Sequence, residues 1–268
     1  MSVESGRLTI LHLSDVHATE GELLYGSVDG LERLERVAAY VAETGITPEL
    51  VVVTGDLAQR GHPGVYPAID RGLRRLEDAV GAPVLSVLGN HDDPVAARVL
   101  TGHEAGHARV VHVGELRVVL LDSSSGALDD EQLALVRATL SSPFGIGTVV
   151  ALHHPPLGSP VPTLAQAGLA HADTLLDALA GGDVRIVLAG HFHHALSATV
   201  RGVPISVGPS LAYHQVMNAG PDLVSGHDAS LFSLVHLSAE SVSTAAFSLG
   251  DAVPLFTAPA RRPASLAS

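Results

Sequence analysis

Pro83-Val84-Leu85-Ser86-Val87-Leu88-Gly89-Asn90-His91-Asp92 is the stretch whose reading decides the fold. Its first six residues are an apolar run that stops at a glycine, the pattern of a short buried strand. At the strand's end an amide, an imidazole and a carboxylate stand together. Asparagine offers a neutral carbonyl ligand, and histidine a second ligand or a proton donor. Asp92 either orients that ring or caps the helix expected after Pro94. Gly-Asn is also an ordinary turn dipeptide, so the meaning of the stretch depends on what the other strands end in.

Toward the N-terminus, Leu8-Thr9-Ile10-Leu11-His12-Leu13 predicts a first strand, and Ser14-Asp15-Val16-His17 follows it. Two apart on extended chain, Asp15 and His17 are expected on one side, able to grip a cation together. Leu50-Val51-Val52-Val53 is too apolar to alternate, as expected of a sheet covered on both faces, and it ends in Thr54-Gly55-Asp56. Helical spacing runs over 31–43, closed by Gly45, and over 65–80 with Pro67 in the first turn.

Toward the C-terminus, Val110-Val111-His112-Val113 and Leu116-Arg117-Val118-Val119-Leu120-Leu121 flank Gly114-Glu115, a two-residue hairpin signal. A helix is expected over 129–140. Thr148-Val149-Val150-Ala151-Leu152 is a further strand, ending in His153-His154-Pro155-Pro156. Adjacent residues of extended chain point oppositely, so only one of these two imidazoles is expected in a shared site. The 157–168 segment reads as a flap and 170–180 as a helix. Val184-Arg185-Ile186-Val187-Leu188-Ala189 then leads into Gly190-His191-Phe192-His193-His194, again polar groups two apart after a glycine. Antiparallel pairs are expected from 196–200 with 203–207, and from 231–237 with 242–247. One domain, 1–253, followed by a mobile or surface-lying tail, 254–268, is the expected organisation.

Composition narrows the function classes. The 268 residues carry a net charge of −13, which argues against tracking a nucleic-acid backbone. There is no cysteine, so disulfides, thiolate ligands and cysteine nucleophiles are excluded. No apolar run reaches the ~18 residues of a membrane span, and the N-terminus lacks the pattern of a signal peptide. A cytoplasmic location is the expectation. Sixteen histidines without cysteine favour cations bound by imidazole and carboxylate.

In open α/β sheets, ligands bind outside the carboxyl ends of strands. Five predicted strands deliver, in turn, Asp15 and His17, Asp56, Asn90 and His91, His153, and His191 and His193. Each group alone is ordinary turn chemistry. All five together point to a metal site.

The order Asp-x-His, Gly-Asp, Gly-Asn-His-Asp, His and Gly-His-x-His resembles the calcineurin-like metallophosphoesterase superfamily. Leu-Ser-Asp-Val-His, Thr-Gly-Asp-Leu-Ala, Gly-Asn-His-Asp-Asp, Leu-His-His-Pro-Pro and Ala-Gly-His-Phe-His are similar to its bacterial class III cyclic-nucleotide phosphodiesterases. The resemblance implies an α/β (α+β) fold, a two-layer β-sandwich flanked by helices, around a dinuclear metal centre. One metal would be held by Asp15, His17, Asp56 and His193, the other by Asp56, Asn90, His153 and His191. His154 then stands behind the ligands, and His194 has no role. Two di- or trivalent ions about 3.5–4 Å apart would share a hydroxide that attacks a small phosphodiester. Mixed nitrogen and oxygen ligands suit Mn, Fe or Zn. Asn90 and His91 would meet the substrate, and His91 would protonate the leaving alkoxide.

Only Arg60 stands beside a motif, which favours a diester over the more highly charged monoester, and the subgroup resemblance implies cyclic nucleotides of cAMP type. A phosphomonoesterase, a nucleotide-sugar pyrophosphatase and a non-catalytic metal-binding regulator are the alternatives. Subgroup members are often dimers, so a homodimer through the apolar strands after Val203 is a further expectation. Tyr213, His214 and the 157–168 segment are pocket candidates.

Overall fold

The computed structural model describes residues 7–216, 220, 222–250 and 255–256. Apart from Leu255 and Phe256, the expected tail lies outside the described residues.

The first sheet begins with the predicted strands β1 (Arg7–Leu13), β2 (Leu50–Thr54) and β3 (Val84–Val87), all parallel. Helices α1 (Gly30–Thr44) and α2 (Tyr66–Val80) make the crossovers. The α1 boundary follows from its caps: the Asp29 carboxylate accepts from Leu31 N and Glu32 N, and Gly45 closes the last turn with its N–H on Val41 O.

The second sheet takes β4 (Arg109–Val113) and β5 (Leu116–Leu120), joined by the expected Gly114-Glu115 hairpin. Next come β6 (Thr148–Ala151) and β7 (Val184–Ala189), parallel to β5. Helices α3 (Asp130–Thr139) and α4 (Ala172–Leu179) cover the outer face. The pair β8 (Leu196–Val200) and β9 (Val203–Val207) completes this sheet, with β9 against β7 and β8 at the edge.

Two placements were not legible in the sequence. A short ribbon, β10 (His214–Val216) with β11 (Ser225–His227), stands apart from both sheets. The last pair, β12 (Leu231–Ser238) and β13 (Val242–Ser248), returns to the first sheet with β12 antiparallel to β1. The sheet orders are β13-β12-β1-β2-β3 and β4-β5-β6-β7-β9-β8.

Alternation along the strands builds three apolar layers. Leu8, Ile10, Leu50 and Val52 face Leu116, Val118, Leu120 and Val149 between the sheets. Leu11, Leu13, Val51 and Val53 point the other way, toward Leu34, Val37, Ile69 and Leu76 of α1 and α2. The architecture is therefore the expected helix-flanked sandwich. Of the strands after Val203, β9 buries Val203 and Ile205 in the layer under α3 and α4, and β12 buries Phe232 and Val235 in the other two layers. Among the described residues no helix is long and apolar enough to cross a membrane.

Candidate metal centre

The parallel strands β1, β2 and β3 end at Leu13, Thr54 and Val87, and β6 and β7 end at Ala151 and Ala189. The carboxyl ends of both sheets meet at one end of the sandwich, where the loops converge. That brings Asp15, His17, Asp56, Asn90, His153, His191 and His193 together.

The local geometry differs from the expected one. Asp15, His17, Asp56, His191 and His193 have φ of 54°, 48°, 47°, 73° and 55°. They are five of the eight non-glycine residues at positive φ among those described. Their side chains converge through left-handed turns, and β alternation has no part in it. Each such residue costs about 1–2 kcal/mol. Cross-loop bonds hold the turns: Asp15 N–H donates to Gly55 O at 3.1 Å and His17 N–H to Asp56 O at 2.9 Å. Gly89 has a plain steric reason, since a Cβ there would overlap the Oδ1 and N of Asp56.

Two groups of ligand-type atoms share one carboxylate. In the first, His17 Nε2 lies 3.1 Å from His193 Nε2, and His193 Nε2 lies 3.2 Å from Asp15 Oδ1. In the second, His153 Nε2 lies 3.1 Å from Asn90 Oδ1 and 3.2 Å from His191 Nδ1. Asp56 Oδ2 stands between them, 3.6 Å from His17 Nε2 and 3.5 Å from His153 Nε2.

The hydrogen bonds behind the rings test whether cations fit. His17 Nδ1 meets Gln59 Oε1 at 2.9 Å, His193 Nδ1 meets Tyr213 O at 3.0 Å, and His153 Nδ1 meets Thr54 O at 2.7 Å. A carbonyl oxygen only accepts, so each Nδ1 carries the hydrogen and each Nε2 presents a lone pair. The lone pairs of His17 and His193 therefore face each other, and that of His153 faces Asn90 Oδ1. Such contacts repel unless a cation or an extra proton lies between them. Imidazole, carboxylate and amide oxygen together fit first-row divalent ions.

Electrostatics agree. Burial lowers the pKa of His17 and of His191 to about 4, leaving both neutral. Burial also opposes charge on His153, but the Asp56 carboxylate overrides it and raises that ring to about 9, so without a metal ion its Nε2 holds the extra proton that a cation would replace. Against their own burial, Asp15 beside His193 and Asp56 beside His153 are held below the usual carboxylate range.

His91 stands half-buried at the rim, its ring edge-on to that of His17 at 4.8 Å. Its backbone N–H donates to Asp56 Oδ1 at 2.8 Å, and its Nδ1 meets Gln59 Oε1 at 3.0 Å. One glutamine oxygen thus fixes the tautomer of both His17 and His91. Gln59 was missed because the motif was read only to Ala58; its position three residues past Asp56 was the available signal.

Asp92 does neither of the tasks expected of it. Its carboxylate accepts from Leu57 N, Ala58 N and Gly89 N at 2.8–3.1 Å and from Tyr66 Oη at 3.0 Å, tying the β2 and β3 loops together. Burial first, then the Asp56 charge, push it up to about 7. Ahead of the following 3-10 turn, Asp93 Oδ1 accepts from Val95 N and Ala96 N.

His154 lies closer to the site than expected. The backbone N–H groups of His153 and His154 both donate to Ser123 Oγ, so the dipeptide wraps around that hydroxyl and is not extended. The His154 ring consequently sits 4.4 Å from that of His191, and His153, His154 and His191 form a cluster able to hold a cation. His194 bonds Ser159 Oγ of the 157–168 segment, a contact behind the site. Tyr213 is at the site, its ring 4.1 Å from that of His193.

The carboxyl ends of two sheets, presenting paired Asp/His clusters, define a metallophosphoesterase. The calcineurin-like phosphoesterase profile matches residues 8–195, and the chain belongs to that family. The family uses a dinuclear metal centre. A probable cyclic nucleotide phosphodiesterase of Rhodococcus erythropolis is 36% identical over 90% of this chain and 83% of its own. A cAMP/cGMP dual-specificity phosphodiesterase of Mycobacterium tuberculosis is 34% identical over 93% of this chain and 83% of its own. Among solved structures, a dimetal phosphatase from Danio rerio superposes with a TM-score of 0.59 at 12% identity, covering 88% of this chain and 98% of that one, a likeness of fold.

Proposed function

We propose that this chain is a metal-dependent phosphodiesterase acting on cyclic nucleotides of cAMP type and on other small phosphodiesters. One ion would be held by Asp15, His17, Asp56 and His193, and a second by Asp56, Asn90, His153 and His191. The observation that carries this reading is the Asp56 Oδ2 atom, 3.6 Å and 3.5 Å from the Nε2 atoms of His17 and His153, set to bridge two clusters of inward lone pairs. Bound there, two cations would supply Lewis acidity to the phosphoryl oxygens and a hydroxide at neutral pH.

The chain's own residues do the rest. Asn90 and His91 meet the phosphoryl group at the rim. With Nδ1–H on Gln59, His91 Nε2 is the free ring nitrogen; once it has taken a second proton it is the atom that delivers one to the departing alkoxide, a task worth about 10²–10⁴-fold. Arg60 Nη2 donates to Asn90 O at 2.9 Å and sets one positive charge beside the substrate position, a modest complement suited to the single charge of a diester.

The test compares methyl p-nitrophenyl phosphate, p-nitrophenyl phosphate and cAMP on protein reconstituted with Mn²⁺. Diester and cAMP turnover that EDTA removes and Mn²⁺ restores is the expected result. Turnover of the monoester alone would make the chain a phosphatase, and bound metal without turnover would make it a regulator.

A further inference from the structure

Next to the metal centre a cavity of about 410 Å³ opens between the 24–28 turn and the β10–β11 ribbon. That volume is in the range of small-molecule sites, about 300–1,000 Å³. Two of its walls are aromatic. The Tyr25 and Tyr213 rings meet edge-on at 5.5 Å, and Tyr213 also lies 5.8 Å from the His17 ring. Tyr25 is a left-handed residue, φ 52°, and is 73% exposed. With Gly26 at φ 75° it forms the tip of a turn that Ser27 N–H and Val28 N–H close on Leu24 O, and this tip places the tyrosine at the cavity's edge.

The far side of the cavity is fixed. Gly226 runs directly beneath Tyr213, where a Cβ would come within 2.9 Å of the ring. Asp228 is locked by the buried Arg33, whose guanidinium also donates to Leu211 O. The cavity is tied to the ligand loop as well: Gln215 N–H donates to His193 O at 3.2 Å, and Tyr213 O takes the His193 Nδ1 hydrogen. One polar atom is left over. Gln215 Oε1 is buried and has no hydrogen-bond partner among the described residues, although Gln215 lines the cavity. A buried acceptor without a donor costs free energy that a ligand N–H would recover.

We propose that this cleft takes the nucleobase of the substrate, with the base against Tyr25 and Tyr213 and its exocyclic amino group donating to Gln215 Oε1. The inference rests on the cyclic-nucleotide reading above and adds the place and the chemistry of base recognition. Flat faces of any base stack on tyrosine, so the aromatic pair gives affinity without choice. Choice comes from Gln215. An amide oxygen rewards an amino group and is left unpaired by the carbonyl that hypoxanthine carries in its place.

Tyr25→Ala tests the stacking. Its KM for cAMP is expected to rise about tenfold or more beyond any rise for methyl p-nitrophenyl phosphate, which has no base. Gln215→Leu tests the choice: the unaltered protein should prefer cAMP over cyclic IMP, and the variant should lose that preference. Equal losses on both diesters in Tyr25→Ala, or an unchanged preference in Gln215→Leu, would overturn the assignment.

Equilibrium dialysis with AMP separates this inference from the activity reading. If cyclic nucleotides are not hydrolysed but AMP binds and Tyr25→Ala abolishes its binding, the activity reading fails and the cleft stands. Absence of AMP binding to the unaltered protein would overturn the cleft.

Discussion

The strands β6 and β7 carry a buried polar cluster at each end, and the two clusters are wired in opposite ways. At the amino ends, Asp183 accepts from Phe144 N at 2.7 Å, Thr148 Oγ1 at 2.8 Å and Arg117 Nη2 at 2.7 Å. Arg117 Nε in turn donates to Thr148 Oγ1. Each of these donors has an acceptor. At the carboxyl ends, roughly 13 Å away along four residues of strand, acceptors face acceptors around Asp56. The closed network lowers the free energy of the folded chain, whereas the open one raises it until something cationic arrives. Burial of polar groups thus says little about function until their lone pairs are counted.

Asp56→Asn strikes the open end hardest. Activity should fall below detection, bound metal by elemental analysis should drop, and EDTA, expected to lower the melting temperature of the unaltered protein, should no longer shift it. The metal-free variant should unfold in urea no more easily than the metal-free parent; marked loss of stability would break the contrast between the two ends.

His91→Ala, next in size, should cost about 10²–10⁴-fold in kcat while metal content stays unchanged. Asp183→Ala is the converse test at the closed end. Leaving Arg117 buried and unpaired should cost about 3 kcal/mol in urea unfolding, with the specific activity of the folded protein unaltered.

Gln59→Leu should weaken Mn²⁺ binding by about 10–100-fold, because His17 loses the acceptor that fixes its tautomer. It should also lower kcat through His91. Undiminished metal affinity would sink the positioning role.

The smallest effect is one of pH. Burial opposes charge on Asp183, but Phe144 N–H, Thr148 and Arg117 hold its carboxyl below the usual range. A depressed carboxyl contributes stability above its unfolded value of about 3.9 and loses it as pH falls through the folded value. The stability gap between the parent and Asp183→Asn should therefore shrink as the pH drops below about 4. A gap that persists at pH 2 would remove the charge from the account.

Much of this molecule was legible in the chain. Apolar runs and their glycine stops placed β1, β2, β3, β6 and β7, because a strand buried on both faces leaves a run that needs no partner to be recognised. The polar groups after those runs named the residues that meet around Asp56. The manner of meeting was not legible. Alternation on extended chain put Asp15 with His17 and separated His153 from His154, whereas left-handed turns and the Ser123 hydroxyl decide both cases. The sequence contains no period that announces a left-handed histidine.

What the chain determined alone is local: which segments are strands, where each one stops, and which ligating atoms stand at the stop. Such features depend on neighbours in sequence and on burial pattern. Only the tertiary structure decided the rest. Long-range pairing placed β12 beside β1, brought the ends of two sheets to one carboxylate, gave one Gln59 oxygen to two histidines, and set Tyr25 against Tyr213 across 188 residues of chain. Contacts at that separation follow from how whole layers pack, a property of the assembled core and not of any single stretch.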